Sequence, residues 1–386
     1  MYRHNRALSS TAGAFSPQLD QSKAAGTAVF VDGVNIPTGC EVREDGSAVL
    51  RIHAPRASTV QLMSMTGPQT FTRREDGVWE LEVEQGSGGF RPLMLMVDGT
   101  SVMSPLLPIG YGASRATNYL DLPRPGDAGA LELCVDVPHG AVTQEIYWSG
   151  TTRNWESCLV YTPPGYQKST EDYPVLYLQH GHGENERCWV YQGKINFILD
   201  NLISQGRAKP CIVVMNNGMV PCTIDGEFAA RPALLPELLI NDCIPFIENT
   251  YRCKTDRLHR AMAGLSMGSQ QTSITVLDHP ELFAWAGIFS GFLNKLPPID
   301  PTPNTHMEAL NDPEKVKASY KLFYRAIGAE DHFNEIFTQE TALMASHSLS
   351  PEDWPAHRIE YFTGSHEWNV WRDCAKAFLQ LVFQED

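Results

Sequence analysis

The chain has 386 residues, 42% of them hydrophobic, enough for a full globular core and long enough for two domains. Its 45 acidic and 30 basic side chains leave a formal charge of −15, which disfavours nucleic acid and anionic membrane as partners. No apolar run approaches the roughly 18 residues of a membrane span.

Residues 1–24 are small and polar with no period, and read as a loose arm. The basic residues near Met1 are followed by no apolar stretch, so no secretory leader is expected. The expected location is cytoplasmic, or secreted if a leader has been removed. From 25 to 123 the pattern is all-β. Ala48–Pro55, Thr59–Met65 and Gly77–Val83 each read as a strand, and Arg91–Thr100 reads as a strand closed by the Asp98-Gly99 turn. Short strands separated by turn signals predict an immunoglobulin-like β-sandwich. Trp79 reads as core before it reads as a sugar-stacking residue. Residues 124–130, rich in Pro and Gly, form the predicted linker.

From 131 to 386 the texture changes. Two early strands, near Leu131–Val137 and Glu156–Tyr161, precede buried runs at Val175–Gln179, Ile212–Met215, Ala261–Leu265, Phe283–Phe289, Leu322–Ile327 and Arg358–Phe362. Helical patterns lie between them, as at Leu235–Asn249, and another follows at Asp373–Phe383. This alternation predicts an α/β domain with a mostly parallel sheet. The nine cysteines include no C-x-x-C pair and read as reduced thiols rather than metal ligands. No metal and no cofactor is expected.

Gly264-Leu265-Ser266-Met267-Gly268 reads G-x-S-x-G between a small apolar run and a helical pattern. That order suits a sharp strand-to-helix turn with the serine at its tip, an arrangement found in α/β-hydrolases. A serine hydroxyl is a weak nucleophile and needs a base, which in turn needs an orienting carboxylate. Two loops after strands supply them in the order acid, then histidine. The first is Gly328-Ala329-Glu330-Asp331-His332-Phe333, and the second is Gly364-Ser365-His366-Glu367-Trp368. His366 is the preferred base, while Glu330 and Asp331 compete as the acid. An oxyanion hole needs two fixed N–H donors. The candidates are the backbone N–H of Met267 and the His180-Gly181-His182-Gly183 loop, through His182 with Gly181 beside it.

At these residues the chain resembles the family one carbohydrate esterases, which include bacterial feruloyl and acetylxylan esterases. The resemblance rests on Tyr177–Gly183, on Asp256–Gly268, on Gly328–Asp331 and on the G-x-H-x-W at 364–368, and it runs over roughly 130–384. It implies an α/β-hydrolase with Ser266, Asp331 and His366 as triad, Asp331 being preferred to Glu330. Ile52–Pro55, Gly77–Trp79 and Val97–Gly99 resemble family 48 carbohydrate-binding modules. Ser269 departs from the family's usual second glycine, and Met219–Arg231 matches nothing in it. The implied substrate is feruloylated or acetylated xylan oligosaccharide, with Trp189, Phe333 and Trp368 as candidate walls for an aromatic acyl group. An acetylxylan esterase, an enterochelin-type siderophore esterase and a non-catalytic carbohydrate-binding protein are the alternatives. The oligomeric state, a homo-oligomer included, stays open.

Overall fold

A computed structural model describes residues 28–384 except 32–33, 38, 65–66, 87, 105–106, 113, 125–130, 132–133, 135, 296–299 and 301. The predicted arm at 1–24 lies outside the described residues, as does the predicted linker apart from Arg124. The described residues fall into two compact units, divided at residues 129 and 130.

The first unit is all-β. A hairpin pairs β1 (Ala28–Val31) with β2 (Val34–Pro37). One sheet has β3 (Cys40–Val42), β4 (Ala48–His53), β7 (Thr72–Arg73) and β8 (Val78–Val83) in the order β3-β4-β8-β7. The other is built on β5 (Val60–Ser64), β6 (Gly67–Thr70), β9 (Gly89–Val97), β10 (Thr100–Val102), β11 (Ile109–Gly112) and β12 (Arg115–Leu122). Its order is β11-β12-β9-β5-β6, with β10 also on β9. Successive side chains of a strand alternate between faces. Leu50 and Ile52 of β4, Leu62 of β5, Leu93 and Leu95 of β9 and Leu120 of β12 therefore meet in one core, while Met94 faces out. Trp79 belongs to that core and donates its indole N–H to the Ala54 carbonyl at 2.9 Å, so it offers no face to a sugar.

The second unit carries an eight-stranded sheet. Its strands are β13 (Ala141–Ser149), β14 (Asn154–Thr162), β15 (Val175–Gln179), β16 (Ile212–Asn216), β19 (Arg260–Leu265), β20 (Trp285–Phe289), β21 (Leu322–Gly328) and β22 (His357–Phe362). They lie in the order β13-β14-β16-β15-β19-β20-β21-β22. From β16 onward the pairs are parallel; β13 and β14 form an antiparallel hairpin at the edge. The predicted strand at Leu131–Val137 is absent from its described residues. A turn closed by Val137 N–H on the Cys134 carbonyl stands there, and the first strand starts at Ala141. A small hairpin of β17 (Pro221–Ile224) and β18 (Glu227–Ala230) follows β16.

The helices are α1 (Cys188–Tyr191), α2 (Ile195–Ser204), α3 (Leu235–Leu238), α4 (Ile244–Thr250), α5 (Met267–Asp278), α6 (Pro313–Ser319), α7 (Asn334–Ser346) and α8 (Trp368–Leu379). A π turn at Leu239–Cys243 joins α3 to α4, so the predicted helix at 235–249 is a composite. The last helix starts five residues before its predicted position. Because strand neighbours face opposite ways, Ile288 joins a core with Met262, Leu238 and Val276, while Phe289 meets Phe378 of α8 at 5.7 Å. Helices thus cover both faces, and the strand ends are left to carry chemistry.

Candidate active site

β19 and α5 meet at Ser266, whose φ of 51° and ψ of −116° are unusual for a side chain with a Cβ. Such a conformation stores about 1–3 kcal/mol and persists only where the surroundings impose it. Here they do. A Cβ at Gly264 would lie 2.4 Å from the Gly268 carbonyl oxygen, and one at Gly268 would lie 2.6 Å from that of His180. The two glycines are therefore required by close approach. Ser269 adds a brace: its hydroxyl donates to the Ser266 carbonyl at 2.5 Å and accepts the Phe292 N–H at 3.0 Å. The Ser266 side chain is left half-buried at the strand ends.

The loops after β21 and β22 converge on it. Ser266 Oγ lies 3.0 Å from His366 Nε2, and His366 Nδ1 lies 2.9 Å from Asp331 Oδ2. Burial works against charge on Asp331, but the His366 ring and the Phe333 N–H, 2.9 Å from Oδ1, more than offset it. The carboxyl sits below the usual 3.8. Glu330 faces elsewhere: its Oε2 accepts the Gly364 N–H at 2.5 Å and its own N–H donates to the Gly364 carbonyl. It splices the acid loop to the histidine loop. His332 is exposed, with its ring 5.1 Å from that of His366.

The His180–Gly183 loop lies against the elbow, for a Cβ at Gly181 would come within 3.5 Å of Ser266 Cβ. The Gly181 N–H is committed to Glu184 Oε2 at 2.9 Å, so Gly181 has no N–H to offer an oxyanion, contrary to expectation. His180 is buried and held neutral, its ring pushed down to about 4 by burial. Its Nδ1–H donates to the Gly181 carbonyl at 2.8 Å and its Nε2 accepts the Gly218 N–H at 2.8 Å. In a trans peptide, C=O and the next N–H point opposite ways. Fixing the Gly181 carbonyl on His180 thus turns the His182 N–H outward. The N–H groups of His182 and of Met267, the first residue of α5, carry no hydrogen bond among the described residues.

The aromatic candidates separate. Trp189 is 1% exposed and its indole N–H is taken by the Gln179 carbonyl at 2.9 Å, so it is a packing residue and cannot line a pocket. Trp368, 5% exposed, is likewise enclosed, with its N–H on Glu184 Oε1 at 2.8 Å. Phe333 is half-buried, with its ring 5.0 Å from His366 and edge-to-face with Phe292 at 4.7 Å. It alone of the three borders the site. Three residues escaped the sequence reading: His180 as a clamp, Glu184, and Gln271. Gln271 donates to the Gly218 and Pro232 carbonyls and so pins both ends of the β17–β18 segment to α5. Glu184 left a trace in sequence, as the acid directly after His-Gly-His-Gly, and Gln271 left none.

The arrangement can deliver a serine to a carbonyl, take up its proton and bind a developing oxyanion. Comparison with known proteins agrees with that chemistry. The endo-1,4-β-xylanase/feruloyl esterase of Xylanibacter ruminicola is 33% identical over 356 residues, covering 89% of this chain and 46% of that protein. The endo-1,4-β-xylanase Y of Acetivibrio thermocellus is 30% identical over 223 residues, covering 54% of this chain and 19% of its own. The chain thus spans about half the length of the first relative and far less of the second. Among solved structures, the feruloyl esterase module of Clostridium thermocellum complexed with sinapinate matches 68% of this chain and 94% of its own, at 25% identity and a TM-score of 0.54. The enterobactin esterase of Shigella flexneri shares the fold over 88% of this chain and 93% of its own, at 14% identity and a TM-score of 0.60. The family model described as Esterase matches residues 154–377, a span that holds the serine, the acid, the histidine and both donor loops, and the chain belongs to that family.

Proposed function

We propose that this protein is a serine esterase that releases ferulate or a related hydroxycinnamate from feruloylated xylan fragments. The observation that carries the reaction is the hydrogen-bonded line Ser266–His366–Asp331 beside the N–H groups of His182 and Met267, unpaired among the described residues. Ser266 Oγ attacks the ester carbonyl as its proton passes to His366 Nε2. Asp331 stabilises the imidazolium so formed. The carbonyl oxygen, now negative, is held by the two N–H groups, and the N-terminal end of α5 adds its dipole. Collapse expels the sugar alcohol, which takes the proton from His366 and leaves an acyl-serine. Water then repeats the sequence, with His366 taking its proton, and releases the acid.

The substrate class is supported by the name of the X. ruminicola relative and by the sinapinate held in the C. thermocellum module. Phe333, half-buried and packed edge-to-face on the buried Phe292, offers an aromatic acid an apolar edge beside the histidine. The reading of residues 25–123 as a carbohydrate-binding module belongs to the same proposal and rests on the sequence resemblance alone. Rates on methyl ferulate, 4-nitrophenyl acetate and a ferric catecholate siderophore test the proposal. The expected kcat/KM on methyl ferulate exceeds that on the siderophore by more than about a hundredfold, a margin of some 2.7 kcal/mol in transition-state binding. A preference for acetyl over feruloyl esters of the same sugar would make it an acetylxylan esterase instead.

A further inference from the structure

Glu184 stands outside the triad and the oxyanion donors, yet it touches both halves of the site. Its Oε2 accepts the Gly181 N–H at 2.9 Å, inside the loop whose next N–H, that of His182, is unpaired among the described residues. Its Oε1 accepts the indole N–H of Trp368 at 2.8 Å, two residues past His366. Gln192 supplies a third, neutral contact. Trp368 in turn packs edge-on against Trp371 at 5.3 Å, and Trp371 stands 5.1 Å from the His366 ring. One carboxylate therefore ties the loop after β15 to the segment after β22, which have no covalent connection nearer than 180 residues of chain.

The chemistry of this contact is unusual. Glu184 is half-buried, and the groups that bear on its carboxyl are the neutral donors of Gly181, Trp368 and Gln192, with no lysine or arginine among them. Enclosing a carboxylate without a cation costs free energy. Burial accordingly pushes Glu184 up to about 7. An uncharged amide acceptor at this position would avoid that cost. A carboxylate differs from such a group in having two equivalent acceptor oxygens, so it can hold two donors from two loops at once.

We propose that Glu184 is a positioning residue for ester cleavage, its carboxylate clamping the loop that presents the His182 N–H to the segment that carries His366. His180 fixes the Gly181 carbonyl from one side and Glu184 fixes the Gly181 N–H from the other. Together they set the direction of the His182 N–H before substrate arrives. Glutamine at 184 has one acceptor oxygen, so one donor would face an NH2 group and one loop would be released. The inference rests on the esterase reading.

The test is steady-state kinetics of wild type, Glu184→Gln, Glu184→Asp, Trp368→Phe and Ser266→Ala on methyl ferulate between pH 5 and 9, within the range where circular dichroism shows each folded. Glu184→Gln is expected to lower kcat by about 10–100-fold with KM within about threefold, approaching the loss of one oxyanion donor. Trp368→Phe, which leaves the Gly181 bond intact, should lower kcat by less. Glu184→Asp keeps two acceptor oxygens and should recover part of the lost kcat, which a role in stability alone would not produce. Wild-type kcat in Glu184→Gln, or a loss carried by KM alone, overturns the clamp. If Glu184→Gln does not fold, Trp368→Phe decides, and wild-type kcat in it overturns the clamp. Full activity in Ser266→Ala would instead overturn the esterase reading beneath it.

Discussion

The hydrolase unit holds two buried aspartates bonded to histidines, and their surroundings give them opposite tasks. Asp331 meets His366 at 2.9 Å at the sheet's C-terminal edge, and the ring's other nitrogen faces Ser266. Asp200 of α2 meets His139 at 3.0 Å, but the other ring nitrogen of His139 lies 3.3 Å from the Cys134 carbonyl, and Asp200 also accepts the Tyr161 hydroxyl and the Gly140 N–H. Burial raises the Asp200 carboxyl above the usual 3.8, whereas Asp331 sits below it. An aspartate–histidine bond is thus no sign of catalysis by itself. What distinguishes the catalytic pair is a free second nitrogen aimed at a nucleophile.

The largest expected contrast comes from removing that nucleophile. Ser266→Ala should lower kcat by about 10⁴–10⁶ while leaving the melting temperature within a few degrees, because a half-buried hydroxyl at a turn leaves no core cavity. A folded variant with a tenth of wild-type activity would dissolve the contrast. Next, Asp331→Asn should lower kcat by about 10⁴, since an amide neither stabilises the imidazolium nor fixes its tautomer. Glu330→Gln, which touches only the Gly364 backbone, should stay within about tenfold. Asp200→Asn should leave kcat within about threefold and lower stability by ~1–3 kcal/mol, the range for an unsatisfied buried partner. Denaturant melts and kinetics on the three variants separate the two roles.

Ser269→Ala removes the brace between the elbow and Phe292. It should cost about 1–3 kcal/mol by stranding the Phe292 N–H and reduce kcat only a few-fold, measured by the same methods. The smallest effect is one of sign. Asp331, depressed when folded, adds stability above about pH 3.8 that is lost as pH falls below it. Asp200, raised when folded, adds stability below that point that is lost as pH rises past it. The stability deficit of Asp331→Asn should shrink as pH falls, and that of Asp200→Asn should shrink as pH rises. Urea melts in steps from pH 3 to 6 read both, and parallel trends would erase the distinction.

Much of this was open to inspection in the sequence. Val175–Gln179 is a strand over its full predicted length because a strand buried on both faces writes itself as an unbroken apolar run. The elbow was legible because its glycines are demanded by the backbone, and the order of acid and histidine because the fold imposes it. The failures have a common cause. Trp189 and Trp368 lie near the catalytic loops in sequence, but which way a large ring points is decided by packing, and both point inward. Gly181 stood beside His182 as an oxyanion candidate because the acceptor of its N–H, Glu184, is recognisable only in three dimensions. The β17–β18 hairpin was missed because its strands have four residues each, little room for a period.

Ser269 and Gly291 carry a consequence for how this chain can change over time. A Cβ at 291 would fall 1.5 Å from the Ser269 hydroxyl oxygen and 2.5 Å from its Cβ, and with the whole Ser269 side chain gone its closest neighbour would be the Ser266 carbonyl oxygen at 3.1 Å. Alanine at 291 is therefore closed to the chain while serine stands at 269, and becomes a matter of tenths of an ångström after Ser269→Gly. The two substitutions are accessible in one order and barred in the other. A lineage that acquired the serine brace took on a one-way gate, behind which position 291 stays glycine for as long as the brace is kept.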